Sequence, residues 1–285
     1  MWKVELTDVG PDFSDTDVVR AIESRNCRRL LYLIRAGAVE VNKRDGLTGG
    51  SYLHRIVETC RTVPSCEEMK VVPLVYALSN AGIDMDAVDS QGNTALRMSI
   101  RYRLLDVMVA CLKAGANADQ TEEELIAKHT ALFSYEFFNW FRKLVPGYWQ
   151  AVEENNAFRV NKLVKSWCRI NVERGNESLL EFAKRINAKR KIVDLLEQNE
   201  ASIDFAHATI AGDEERMKFL LCNRSVSLNT VDYSHRKDIF SQLTPLSLRE
   251  TALAYGHHHV LHLLEDRTFE RRNRQAKPSS ICAIT

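Results

Sequence analysis

The sequence predicts an all-α fold, a solenoid of stacked helix pairs joined by short hairpin loops. Three observations predict it. Ala81-Gly82, at the end of one helical stretch, recurs 33 residues later as Ala114-Gly115, a fixed period of the kind that stacked repeats show. Between these marks the apolar residues follow helical spacing, which gives each helix one face to bury against a neighbour. The ends carry the matching chemistry: Thr94 stands where a side-chain oxygen caps orphan backbone N–H groups, and Gly115 where a left-handed residue closes a helix.

The unit from Asp89-Ser-Gln-Gly-Asn-Thr-Ala-Leu96 through Leu104-Leu-Asp-Val-Met-Val-Ala-Cys-Leu-Lys-Ala-Gly-Ala-Asn117 resembles the ankyrin repeat: a D-x-x-G-x-T-x-L turn, then a second helix ending in L-x-x-G-A. The resemblance covers residues 15 to 265 and implies seven or eight helix pairs. Unit one opens near Asp15, with Val18, Val19 and Ile22 on one helix face. Its second helix starts at Asn26-Cys27, carries Leu30, Leu31, Leu33 and Ile34, and ends at Ala36-Gly37-Ala38. Unit two begins at Asp45-Gly46 and shows Ser51-Tyr-Leu-His54, a variant of T-P-L-H; a lengthened turn around Pro64 and Ser65 absorbs its extra residues. After Pro146-Gly147 two short helices are expected between Tyr148 and Trp167, separated by Glu154-Asn-Asn156. A helix over 179–183 then pairs with Lys191–Leu196. The next pair spans Phe205–Leu221 about the turn Ala211-Gly-Asp213, and the last spans Thr244-Pro-Leu246 to Leu264, with the T-P-L some three residues upstream of its usual place. The domain reading is an N-terminal cap segment (1–14), a first repeat block (15–121), a degenerate repeat or junction (122–146), a divergent second block (147–265) and a basic disordered tail (266–285).

A near-neutral net charge of +1 over 285 residues gives no global field toward nucleic acid. No run of about 18 apolar residues is present to span a membrane. The first ten residues lack an apolar signal core, and the seven cysteines show no paired spacing, so reduced thiols in a cytoplasmic protein are expected. Cys111, Cys168 and Cys222 fall in helical apolar runs and read as small core residues.

Catalytic signatures are missing: there is no nucleophile elbow, phosphate-binding loop, kinase set or zincin motif. His257, His258, His259 and His262 form the most metal-like cluster, with His258 and His262 at i and i+4, but no patterned carboxylate or thiolate completes a ligand set. Gly46-Leu-Thr-Gly-Gly50 reads as a plain turn, and Phe137, Phe138, Trp140, Phe141 and Leu144 as a core-facing stripe or a cement between the blocks. Hairpin asparagines Asn42 and Asn229 read as turn stabilisers. Cys282-Ala-Ile-Thr285 has the C-a-a-X form of a prenylation box, after Arg267, Arg271, Arg272, Arg274 and Lys277.

The resemblance implies a non-enzymatic scaffold or adaptor that binds a protein partner, without cofactor, metal or nucleic acid. Partner contacts are expected at Arg55, Glu58 and Thr59 in unit two and at Arg97, Met98, Arg101 and Tyr102 in unit three. Hairpin tips are expected at Arg44, Asp45, Ser90, Gln91, Tyr233 and Ser234. The alternative is a lipid-anchored scaffold held at a membrane through Cys282; a ubiquitin-ligase adaptor and a metal-dependent enzyme rank below these.

Overall fold

The computed structural model describes residues 15–62, 65–118, 147–174, 177–232 and 246–265. The N-terminal segment, the 122–146 junction with its aromatic stripe, Tyr233 and Ser234, and the basic tail with Cys282 lie outside the described residues.

The protein is mostly helical. The described α-helices are α1 (Asp15–Glu23), α2 (Cys27–Arg35), α3 (Tyr52–Arg61), α4 (Val72–Asn80), α5 (Ala95–Arg101), α6 (Leu105–Lys113), α7 (Gly147–Glu153), α8 (Ala157–Lys165), α9 (Leu179–Arg185), α10 (Arg190–Ala211), α11 (Glu214–Asn223), α12 (Leu248–Ala254) and α13 (Leu261–Glu265). Strand pairing among the described residues is confined to loops. Glu173–Arg174 pairs with Glu177–Ser178, Val231–Asp232 pairs with Leu246–Ser247, and a single bridge joins Val88 to Thr94.

Local chemistry sets the helix starts. Asn26 accepts from the Arg29 amide at 3.0 Å, Thr94 from Arg97 at 3.1 Å, Asn156 from Arg159 at 3.0 Å and Asp213 from Arg216 at 3.1 Å. Ser178 with Glu181 and Ser247 with Glu250 form reciprocal capping boxes. The Ser247 box accounts for the misplaced T-P-L: the last first-helix starts at Leu248, shifted downstream, rather than at Thr244. Gly115 takes φ +106 as its position requires, and an added Cβ there would meet Val172 at 2.9 Å.

Two runs of paired helices result. In the first, α1 packs on α2 and α3, α2 on α4, α3 on α4 and α5, and α6 closes the run on α4 and α5. In the second, α7 packs on α8 and α9, α8 on α10, α9 on α10, and α10 on α11 and α12, with α13 against α12. The runs then meet through α4 and α10. Every residue of α4 from Val72 to Ser79 is buried, as is every residue of α10 from Ser202 to Ala211. A helix apolar on all sides is one covered on all sides, and α4 reads Val-Pro-Leu-Val-Tyr-Ala-Leu-Ser-Asn. Buried Phe205 in α10 and buried Trp167 each contribute on the order of 2–3 kcal/mol of apolar burial.

Two expectations are corrected. Lys191–Leu196 and the helix containing Phe205 are not separate elements; they are one 22-residue helix, α10. No glycine or proline interrupts 190–211, so nothing breaks the backbone ladder until Gly212 takes φ +67. Cys222 is exposed, unlike buried Cys111 and Cys168, because Met217, Leu220 and Leu221 supply the inward face of α11 and Cys222 falls beside it.

Candidate functional site

Nine of the sequence-predicted contact and tip residues converge on one groove of about 650 Å³ formed by two loop tips and the helices that follow them. Each tip is built around an aspartate. Asp45 accepts from the Leu47 amide at 3.0 Å and from the amide and hydroxyl of Thr48 at 2.7 and 2.9 Å. These bonds, the Thr48 amide foremost, hold the Asp45 carboxyl below its ordinary range. Asp89 accepts from the Gln91 and Asn93 amides, both at 2.8 Å. Burial pushes the Asp89 carboxyl up, but the Asn93 and Gln91 bonds outweigh it and leave it lowered.

The tips are tied to each other. The Ser90 amide donates to the Thr48 carbonyl at 2.8 Å. Buried His54, at the third position of α3, donates from Nε2 to the Asn93 carbonyl at 2.8 Å, while its Nδ1 accepts from the Ser51 amide at 3.0 Å. A carbonyl only accepts, so the proton sits on Nε2. Asn42 links a further pair of loops, donating to the Gly82 carbonyl at 3.1 Å and accepting from the Asp84 amide at 2.7 Å.

Of the predicted contact residues, Arg55, Glu58, Met98, Arg101 and Tyr102 line the groove, together with the tips Arg44, Asp45, Ser90 and Gln91. Arg55 pairs with Glu23. Tyr102 is 37% exposed, lies under the Arg61 guanidinium at 5.3 Å and donates to Glu58 at 3.4 Å. Met98 lines the groove floor yet is buried, so it serves the core as well. Thr59 and Arg97 do not line it: the Thr59 hydroxyl donates to the Arg55 carbonyl within α3, and the Arg97 guanidinium donates to the Gly92 carbonyl. Sequence reasoning missed Leu47, which is 95% exposed at the tip of the first loop, and Lys43 beside it. The signal was an apolar residue inside an otherwise polar Asp-Gly-Leu-Thr-Gly turn.

The histidine cluster works elsewhere, on the seam between the two runs. His257 donates from Nε2 to the Ile210 carbonyl at 2.8 Å, and His259 donates from Nε2 to the Gly212 carbonyl at 3.0 Å. His259 Nδ1 then accepts from Arg28 at 2.9 Å, and His262 Nδ1 donates to the His259 carbonyl at 2.8 Å. The His257 ring lies so close to Gly212 that an added Cβ would stand 2.6 Å from Nδ1. No group of three or more His, Cys, Asp or Glu side chains converges as a metal site among the described residues.

The same seam holds a buried polar cluster. Arg169 donates to the Ser79 carbonyl at 3.1 Å and to Asn80 at 2.5 Å; Arg216 reaches Asp204 at 3.4 Å; and the Cys27 thiol donates to the Ala211 carbonyl at 3.2 Å. His207, fully buried and 4.6 Å from the Tyr76 ring, donates from Nε2 to the Trp167 carbonyl at 2.6 Å. Burial first, and the charge of Arg169 second, hold its imidazolium pKa well below the ordinary histidine value.

No protein-family model matches this chain, and no curated protein is significantly similar to it. No helix among the described residues is long and apolar enough to cross a membrane.

Proposed function

We propose that this chain is a divergent ankyrin-repeat scaffold that binds a protein partner in the groove between its first loop tips and helices α3 and α5, without chemistry of its own. One observation carries the reading. An exposed leucine, a partly exposed tyrosine and three arginines stand on a frame in which Asp45, Asp89 and His54 are hydrogen-bonded to backbone groups of the two tips. Tyrosine and arginine dominate binding energy at interfaces, and a frame pinned by Asp45, Asp89 and His54 binds with little ordering cost.

The repeat pattern supports the scaffold half of the proposal. The 33-residue spacing of Gly82 and Gly115, the Thr94 cap, and the His54 bond to the next hairpin reproduce the tip–helix–helix logic of such repeats. His54 has both ring nitrogens engaged, which argues against its serving as a general base in the groove.

Quantitative affinity capture tests the reading, comparing the intact chain with Leu47→Asp/Tyr102→Ala and with a Phe158→Ser/Phe219→Ser control. Phe158 and Phe219 are 72% and 61% exposed but lie on α8 and α11, in the other run. Partners lost only from the groove variant support the proposal; identical capture by both variants refutes it.

A further inference from the structure

We propose that the groove takes an extended acidic segment of a partner protein, with an apolar side chain set against Leu47 and Tyr102. This rests on the scaffold reading above and adds the chemistry of the ligand.

The argument comes from which charges are already committed. The groove is lined by carboxylates at Asp45, Glu58 and Asp89. Asp45 and Asp89 are held by the donors of their own turns, while Glu58 forms an exposed pair with Arg61 at 3.1 Å and accepts from the Tyr102 hydroxyl at 3.4 Å. Arg101 is exposed and forms no ion pair among the described residues. Arg44 donates to the Val88 carbonyl at 3.1 Å and stands 3.8 Å from exposed Asp84, and Arg55 and Glu23 are about half exposed. Exposed pairs of this kind are weakly held and exchange readily for a better partner.

The groove therefore offers guanidinium groups from three places: Arg44 on the first tip, Arg55 on α3 and Arg101 on α5. A guanidinium fork matches a carboxylate in two parallel hydrogen bonds, so spaced side-chain carboxylates fit this array. A continuous phosphate backbone fits it less well, because the three guanidinium groups stand apart on a loop tip and two helices rather than along an unbroken basic strip. Leu47, 95% exposed beside Lys43 and Arg44, supplies an apolar contact for one residue of the same segment.

The test is selection of a random twelve-residue peptide library displayed on phage against the intact chain. Counter-selection uses Arg44→Glu/Arg101→Glu, with circular dichroism showing that this variant stays folded. Enriched peptides rich in Asp and Glu with one large apolar residue are expected. A synthetic, fluorescein-labelled copy of the best sequence should bind about tenfold or more weakly to the double variant, and more weakly as salt is raised. Enrichment of neutral or basic peptides that still need Leu47 and Tyr102 overturns the acidic specificity but leaves the protein-binding groove standing. Groove-dependent binding of polyuridylate without acidic-peptide enrichment overturns it in favour of nucleic acid. Peptides, or no peptides, without dependence on the groove residues overturn both readings.

Discussion

Acidification should loosen the seam between the two helix runs before it touches the carboxylates whose pKa the fold lowers. His257 is 8% exposed and donates to the Ile210 carbonyl. Burial, partly offset by that bond, brings its pKa from 6.5 down to about 4. The folded state therefore refuses a proton that the unfolded chain accepts. Above pH 6.5 both states carry a neutral ring and its contribution is intact; as pH falls from 6.5 toward 4 the unfolded state binds more protons and stability declines. Between pH 7 and pH 5 this one ring lowers the free energy of unfolding by about 2 kcal/mol, a sizeable share of a domain's usual margin. His207, shifted the same way by burial and by Arg169, adds to the loss and extends it to lower pH. The carboxylates lowered in the folded state, among them Asp45, Glu181 and Glu250, lose their contribution only when pH falls below their unfolded values near 4. The window from pH 6.5 to 5 thus separates the histidines from these lowered carboxylates. Urea denaturation followed by tryptophan fluorescence, with buried Trp167 among the reporters, measures it at pH 7 and pH 5. His257→Gln should show a drop about 2 kcal/mol smaller than the intact chain. An equal drop in both proteins would refute the assignment of the pH dependence to this ring.

Other predictions follow from the same contacts. Gly212→Ala forces a Cβ to within 2.6 Å of the His257 ring at φ +67, and should cost about 2 kcal/mol or more in urea denaturation. Thr94→Ala removes the acceptor for the Arg97 amide and should cost about 1 kcal/mol, read the same way. Arg169→Ala leaves the Ser79 carbonyl and the Asn80 side chain without their guanidinium partner inside the seam, and should lower stability by about 3 kcal/mol. Leu47→Asp, at a side chain almost wholly exposed, should change stability by less than about 0.5 kcal/mol while weakening partner capture.

What the sequence made legible was local. The Thr94 cap, the helix start at Asn26, the left-handed Gly115 and the inward residues of α1 and α2 are written in a few neighbouring positions, and each is found where its chemistry places it. The groove was legible through the same repeat logic, because residues just after a loop tip share one surface; Arg55, Glu58, Arg101 and Tyr102 line it accordingly. Long-range packing was not legible. That α4 lies against α10 depends on residues some 130 positions apart, about the separation of Tyr76 and His207. Its trace in the sequence was the all-apolar character of 71–78, which a one-faced repeat helix does not need. The fused α10 was obscured for the opposite reason: the repeat pattern suggested a turn near residue 200, but Gln198-Asn-Glu-Ala201 carries no breaker, so the helix runs through. The histidines cluster in sequence without a patterned carboxylate or thiolate to complete a ligand set, and the fold separates their tasks, aiming three of them at backbone carbonyls.

The central claim, that the groove beside α3 and α5 is where a partner protein docks, is tested most directly by site-specific photo-cross-linking in cells. A benzophenone side chain would replace Tyr102 in one protein and Phe158, exposed on α8, in another. The account predicts discrete cross-linked products from position 102 that disappear when Arg44 and Arg101 are reversed to glutamate, and none of those products from position 158. The same products from both positions, or products from position 102 that survive the charge reversal, would contradict it.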